Sequence, residues 1–306
     1  MAKYFFKRIL IAVPVLIGVA FITFMMLNVV PGDPITVMMR EHVKPDVIEN
    51  LRKTMHLDDP AIIRFLRFLG DALRGNFGTS YKLSRPVSDL IVQAFPITIK
   101  LATTAAIISW IIGIPIGIIS AIKQSTIIDQ LFMGLALFGV SMPVFLIGLL
   151  GQYTFSYKLG WLPVSGFGSW KQLIMPALVL GWNSAGTIAR LTRSNLMEAM
   201  KNDYIRTARA KGLKETGVVV GHALKNSLLP VITIMAIQIA SLLSGSVITE
   251  SIFGIPGIGR LSVDAIQGRD MPLLQGSVVF ATALIIFGNI CADMLYSLVD
   301  PRIRVE

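Results

Sequence analysis

The residue types that perform catalysis are few in this chain and poorly spaced for it. His42, His56 and His222 are the only histidines, and they show no H-x-x-x-H spacing for a metal site. The glycine-rich run at residues 254–259 lacks the lysine that completes a phosphate-binding loop, so we expect a tight turn there. No G-x-S-x-G motif is present, and Cys291 lies alone in an apolar run. We therefore predict that the chain is not an enzyme and holds no cofactor or metal, so that any ATP it depends on must be bound by another chain.

Basic residues instead concentrate between residues 190 and 225, where eight basic and three acidic side chains occur. Asn202 and Asp203 are suited to begin a helix, and Gly212 interrupts the apolar pattern that follows. The apolar residues of this pattern fall roughly on one face: Tyr204, Ile205, Ala208 and Leu213. The segment is therefore predicted to form two short helical pieces joined by a turn near Gly212. Attraction to anionic lipid headgroups would explain the charge alone, whereas a compact helix pair with glycines favours a protein docking site.

The composition of the chain predicts which kind of structure flanks this segment. Of its 306 residues 54% are hydrophobic and 15% charged, with a mean hydropathy of +0.69, whereas a soluble domain carries about 25% charged residues. Lipid requires backbone groups to pair within a helix or a closed barrel, and the apolar runs are too long for barrel strands. We predict an all-α polytopic membrane protein with six transmembrane helices, within the charge-free residues 9–30, 101–122, 130–157, 172–189, 226–249 and 271–292.

The distribution of Lys and Arg predicts the orientation of these helices. With the N-terminus in the cytoplasm, the inner segments hold 14 basic residues and the short outer loops hold four. We therefore expect both termini to face the cytoplasm, and the first helix to be retained because its apolar stretch is too long for a signal peptide. The predicted organisation is a first helix at residues 1–30, an outer region at 31–95 and a five-helix core at 96–306, with the segment 190–225 on the cytoplasmic side.

The outer region is predicted to contain two short helices, at residues 47–55 and 61–73. The second places Ile62, Phe65, Leu66, Leu69 and Leu73 at helical spacing. Such a helix either lies on the membrane or on the protein's own spans, or forms an outer docking surface for a partner.

The spans contain polar residues but no acidic or basic residue at mid-depth. An ion-coupled carrier usually needs such an ionisable group, so its absence argues against proton or sodium coupling, and Asp293 lies near a helix end where it can pair. Polar side chains in the spans either line a translocation path or make hydrogen bonds between helices: Ser109, Ser141, Gln152, Asn183, Ser184, Gln238 and Ser241.

Several motifs resemble those of ABC-importer permeases of the dipeptide and oligopeptide family. Residues 203–213, D-Y-I-R-T-A-R-A-K-G-L, followed by H-A-L-K-N-S-L-L-P at 222–230, resemble the cytoplasmic "EAA" signature of these permeases. Residues 31–34, 75–80, 250–261, 269–270 and 300–302 match further landmarks, and together they resemble the B-type permease over essentially the whole chain. The general signature has Glu-Ala-Ala where this chain has Arg206, Thr207 and Ala208, so no role is carried over for a glutamate.

The resemblance implies the type I ABC-importer fold and a machine with several partners. A homologous second permease would complete the translocation path, two ATPase subunits would bind ATP and Mg²⁺ below it, and an extracytoplasmic solute-binding protein would deliver the peptide. The chain would then lie in the cytoplasmic membrane of a bacterium or archaeon. Coupling to the ATPases is expected from Asp203, Tyr204, Ile205, Arg206, Ala208, Arg209, Lys211, Gly212 and Leu213.

Two other functions and several solutes are compatible with these residues. The chain would be a secondary carrier or channel if it moved solute alone, and a membrane scaffold if it moved none. Within the permease family the solute could be a di- or oligopeptide, glutathione or nickel, and the sequence does not distinguish them.

Overall fold

A computed structural model describes residues 2–29, 49 and 58–299 of the chain, and within them it is helical without a regular strand. The all-helical architecture expected from the sequence is therefore confirmed for this part of the chain. The motifs at 31–34 and 300–302 and most of the predicted helix at 47–55 lie outside the described residues. The helices are α1 Ala2–Val29, α2 Ala61–Ala72, α3 Val87–Ile122, α4 Ile127–Ser141, α5 Val144–Lys158, α6 Trp170–Ala199, α7 Asp203–Ala210, α8 Glu215–Leu243, α9 Val247–Ile252, α10 Ile258–Gln267 and α11 Met271–Val299.

Each of the six charge-free runs coincides with helical structure, but not every run is one straight span. In the described residues α3, α8 and the Met271–Met294 part of α11 are long and apolar enough to cross a membrane. The pair α4 and α5 forms a fourth span if it is counted as one, although it bends by 101°. The apolar part of α1, Leu10–Met26, is shorter, and the middle of α6 carries the polar residues Asn183 and Ser184.

Two of the predicted spans are corrected by the structure. The run at 130–157 is broken at Met142 and Pro143, because Pro143 has an extended ψ of 131° and stands at the N-cap of α5. The run at 226–249 leaves the helix at Leu243, and Gly245, with φ of +106°, turns the chain into the separate helix α9. Pro115 and Pro176, in contrast, lie inside the continuous helices α3 and α6, where neighbouring helices can satisfy the freed backbone groups.

Close approach of α3 and α6 forms the centre of the molecule. A Cβ atom at Gly113 would lie 2.8 Å from the Ala185 carbonyl oxygen, and one at Gly117 would lie 2.6 Å from that of Ala189. The two backbones are in contact because these positions carry no side chain, which is the usual packing of small residues between helices in lipid. Because α3 has 36 residues, at 1.5 Å each it is about 54 Å long, well beyond the thickness of a hydrocarbon core. It begins at Val87, within the predicted outer region.

Helix α2 lies against the protein's own spans. Phe65 is 5% exposed and packs edge-on against Phe21 of α1 with ring centroids 5.1 Å apart, within a cluster that includes Phe24 and Val279. Ile62 and Leu66 remain 54% and 59% exposed. The apolar stripe of the predicted helix is therefore divided between an inner face that holds α2 to the spans and an outer face that is free in this chain.

Candidate functional site

The predicted coupling segment is a short helix followed by a tight turn. Helix α7 begins after Asn202, carries Asp203 in its first turn and ends at Ala210, with Lys211 as its C-cap. Gly212 has φ of +79°, the left-handed conformation with which helices commonly end. The next helix, α8, starts at Glu215 and runs on as a candidate span, so α7 is joined directly to a membrane helix.

The structure separates the apolar residues of this segment into two groups. Ile205 and Ala208 are 0% and 6% exposed, and they pack in a cluster on the chain's own core. Tyr204 and Leu213 are 39% and 46% exposed. The sequence pattern predicts all four on one face. The observed burial differs because periodicity shows which residues share a face but not what covers them. The cluster consists of Ala121, Leu196, Ala199, Ile205, Ala208, Val218, Val219 and Ala223.

An ion pair closes the turn between α7 and α8. Arg209 donates from Nε and Nη2 to the two carboxylate oxygens of Glu215, at 3.1 and 2.6 Å. The Gly212 amide also donates to the Arg209 carbonyl at 2.9 Å. Asp203, Arg206, Lys211 and Leu213 are exposed around this turn, so the segment presents a mixed surface of charged and apolar side chains.

We expect Gly212→Val to reduce coupling, because a β-branched residue disfavours the left-handed backbone by at least about 1–2 kcal/mol. The space around Gly212 is open, so the effect comes from backbone conformation and not from a steric clash. Gly212→Asn is the matched control, since Asn tolerates this conformation. The measurement is solute-stimulated ATPase activity and uptake in the assembled complex, and equal uptake by both variants would contradict the requirement for a left-handed residue.

A buried ion pair lies near α7 that no sequence motif indicates. Asp129, in the first turn of α4, accepts from Nε and Nη2 of Arg193 in α6, both at 2.7 Å. The Asp129 side chain is 5% exposed and that of Arg193 26%. Asp129 also accepts from the Ser120 hydroxyl and, at 2.9 Å, from the Ser125 amide. Because the two charged residues lie 64 positions apart, only the adjacent end of a charge-free run could have pointed to Asp129.

Of the seven polar residues predicted for a translocation path, three donate hydrogen bonds from their side chains to other elements. Asn183 donates to the Gly139 carbonyl at 3.2 Å, and Gln238 donates to the Ser184 carbonyl at 3.4 Å, so Asn183, Ser184 and Gln238 come together between α4, α6 and α8. Gln152 instead donates to the carbonyls of Val164 and Ile252. Ser141 and Ser241 are exposed in this chain, whereas Ser109 is buried and bonded within its own helix. A role of these residues in translocation stays a prediction.

The glycine-rich run at 254–259 surrounds a carboxylate of the protein itself. Glu250 is fully buried and accepts from the Thr98 hydroxyl at 2.9 Å and the Arg260 amide at 3.0 Å, at the N-terminus of α10. A Cβ atom at Gly257 would lie 2.5 Å from the Glu250 carboxylate. The expected tight turn is therefore present, and its glycines admit the Glu250 side chain to the start of a helix, where a negative charge is favourable.

Two further family landmarks meet through Asp270. This buried residue accepts from the Ser80 hydroxyl at 2.5 Å and from the amides of Tyr81 and Lys82 at 3.1 Å each. The motif at 75–80 is thereby held to the start of α11. Burial raises the pKa of the Tyr81 phenol above its ordinary value.

We expect Asp293→Asn to leave ATP-dependent uptake nearly unchanged. Asp293 pairs with Arg8 of α1 at 2.9 Å, with 31% and 44% of the side chains exposed. Such a pair contributes about 0–1 kcal/mol, and its loss should alter neither the path nor the coupling. Uptake at constant ATP, with and without a protonophore, is the measurement. A collapse of uptake in the variant would indicate that a titrating carboxylate drives transport.

Comparison with known proteins identifies the family. Residues 1–102 match the N-terminal model of a binding-protein-dependent transport system membrane component, and residues 113–305 match the model of the binding-protein-dependent transport system inner membrane component. The chain is 40% identical to the glutathione transport system permease protein GsiC of Salmonella paratyphi A, and 38% identical to that of Escherichia coli K12. Both alignments span 306 residues and cover 100% of each chain.

Solved structures show the same fold at low sequence identity. An inward-facing MetNI methionine ABC transporter is similar with a TM-score of 0.60 and 16% identity, over 69% of this chain and 96% of that one. An amino acid ABC transporter with histidines gives a TM-score of 0.52 and 17% identity, over 70% and 94% of the two chains. The predicted resemblance and importer-permease fold are thus confirmed. Since the two family models match most of its length, this chain belongs to the binding-protein-dependent transport system inner membrane components, the permease subunits of ABC importers.

Proposed function

We propose that this permease subunit belongs to an ATP-driven importer of short peptides, with glutathione as the first solute to test. The observation that carries the proposal is the 40% identity to a glutathione transport permease over the full length of both chains. Glutathione is itself a tripeptide, so this solute agrees with the peptide class expected from the motifs. A homologous second permease, two ATPase subunits and an extracytoplasmic binding protein complete the proposed machine.

The coupling segment is the proposed contact with an ATPase subunit. Ile205 and Ala208 are buried on the permease core, so in this proposal they hold α7 in place. Tyr204 and Leu213 are the exposed apolar side chains available to a partner groove, a mode in which apolar anchors of a helix fill a cleft. Arg206 and Lys211 surround them and would set orientation more than affinity.

The path for the peptide is proposed between α4, α6 and α8. Asn183 and Gln238 lie there beside the Ser184 carbonyl, and the Gln238 Oε1 atom has no hydrogen-bond partner among the described residues although it is buried. Peptide backbones need hydrogen-bond donors and acceptors along their path. Opening of α4 against α6 would release the Asn183 amide for this purpose.

Transport in proteoliposomes tests the proposed function. The chain is co-expressed with a homologous second permease and ATPase subunits, reconstituted, and supplied with a binding protein and radiolabelled glutathione, trialanine or Ni²⁺. We expect ATP-dependent uptake of glutathione or the tripeptide, and none from this chain alone. Uptake by the chain alone along an ion gradient would support a secondary carrier instead, and uptake of Ni²⁺ only would reject the peptide class.

The predicted topology places α2 outside, in contact with the binding protein, and both termini in the cytoplasm. Cysteines at Gly70 and Asp71 are expected to react with an impermeant maleimide from outside and to crosslink to the binding protein. A cysteine at Thr207 in α7 is the opposite-side control. Labelling of the α2 cysteines only from the cytoplasm would overturn the orientation and the docking surface together.

A further inference from the structure

We infer that the ion pair between Asp129 and Arg193 is a positioning clamp that mounts α7 rigidly on the ends of α3, α4 and α6. This inference rests on the proposed coupling role of α7. It goes beyond that role because it assigns the residues through which motion of α7 would reach the spans. Arg193 lies within the basic segment 190–225 but outside α7, and neither residue belongs to the proposed path.

The Asp129 carboxylate joins four elements at one point. It lies in the first turn of α4 and accepts from the Ser120 hydroxyl in α3, the Ser125 amide in the connecting turn, and both Nε and Nη2 of Arg193 in α6. Ser125 has φ of +62°, an uncommon conformation for a residue other than glycine. The carboxylate therefore also holds the tight turn between α3 and α4 in a specific shape.

The same helix ends bury the coupling helix. Ala121 directly follows Ser120, and Leu196 lies one turn after Arg193. Both belong to the apolar cluster that covers Ile205 and Ala208 of α7. The residues beneath α7 thus come from α3, α6 and the start of α8, and two of these helices, α3 and α6, also carry the clamp. A force on α7 is therefore applied in part to the helix ends that Asp129 connects.

The ion pair fixes the orientation of the helix ends, which apolar packing alone would not do. The cluster beneath α7 is rich in alanine, and apolar contacts are not directional. A bidentate pair between Arg and a carboxylate fixes both distance and orientation. Buried ion pairs contribute little net stability compared with apolar replacements. One turn earlier, a Cβ atom at Gly117 would lie 2.6 Å from Thr192, so α3 and α6 are in close contact there as well.

Variants that remove the charges test whether the Asp129–Arg193 pair positions α7 or only neutralises two partly buried charges. Asp129→Asn or Arg193→Gln alone leaves a partly buried charge without its partner, and we expect less assembled complex. The double variant D129N/R193Q removes both charges and is expected to restore assembly. Its uptake of glutathione per ATP hydrolysed should nevertheless fall about tenfold, within the range typical of coupling between sites.

Asp293→Asn is the matched control, because it breaks another ion pair between helices that does not touch α7. Its uptake per ATP should equal that of the wild type. A wild-type ratio in D129N/R193Q would overturn the clamp, as would an equal fall in Asp293→Asn. If only the amount of complex changed, the pair would be structural and the inference would be wrong.

A distance measurement tests the clamp without transport. Spin labels at Ala210→Cys in α7 and Leu131→Cys in α4, with Cys291→Ser as background, report the separation in the purified complex. We expect one narrow distribution in the wild type, with and without ATP, and a broad one in D129N/R193Q. An equally narrow distribution in the double variant would overturn the inference. Failure of the wild type to import glutathione would count against the proposed solute only, since the label distances still decide on the clamp.

Discussion

Ala208→Trp is expected to abolish coupled transport while the chain still inserts in the membrane. Ala208 is 6% exposed and lies in the cluster with Ala121, Leu196 and Ala199. An indole has no room between these residues, and overpacking of a core typically costs about 1–3 kcal/mol. The least costly relief is displacement of α7, because this helix has only eight residues. A displaced α7 would no longer present Tyr204 and Leu213 in a fixed position.

The measurement is solute-stimulated ATPase activity and uptake in the reconstituted complex, with insertion checked separately. Val220→Trp is the matched control, because Val220 lies in α8 close to the same cluster but is 63% exposed. We expect the control to retain uptake and Ala208→Trp to lose nearly all of it. Normal uptake by Ala208→Trp would show that transport does not need the packing of α7 on its apolar cluster. The coupling role of residues 203–213 would then be wrong.

Glu250→Ala is expected to destabilise the folded chain strongly. The substitution leaves the Thr98 hydroxyl and the Arg260 amide without their acceptor in a fully buried place. Each buried donor left without a partner costs about 1–3 kcal/mol. The glycines at 257 and 259 would add no side chain to fill the space that the carboxylate vacates. We therefore expect little folded protein to be recovered from the membrane.

Thermal stability of the detergent-purified chain tests this expectation. Glu250→Gln retains one acceptor oxygen and should be intermediate, since its amide group then faces backbone donors. Ser251→Ala is the neighbouring control, because Ser251 is exposed and its hydroxyl donates to the Val247 carbonyl of its own helix. A melting temperature for Glu250→Ala equal to that of the control would mean that the carboxylate does not hold α10 against α3.

Local features of the fold could be predicted from the sequence because they depend on nearby residues. The charge-free runs predicted helices, since backbone groups in lipid must be paired within the segment. The helical spacing around Phe65 predicted α2, and Gly212 predicted the turn that ends α7. The family followed from motifs that are themselves short and local, such as residues 203–213 and 250–261.

Contacts between distant residues were decided only by the tertiary structure. Asp129 and Arg193 are 64 positions apart, and Thr98 and Glu250 are 152 apart, so no periodicity connects them. The sequence indicated a glycine-rich turn at 254–259 and a charge-free run that begins at residue 130, but not which groups the neighbouring carboxylates would face. Likewise it placed Ile205 and Tyr204 together on an apolar face, whereas packing on Ala121 and Leu196 buried one and left the other exposed. Local pattern thus determined the helices of this permease, and the close approach of α3 and α6, possible only where glycines face a neighbouring backbone, decided which side chains became buried and paired.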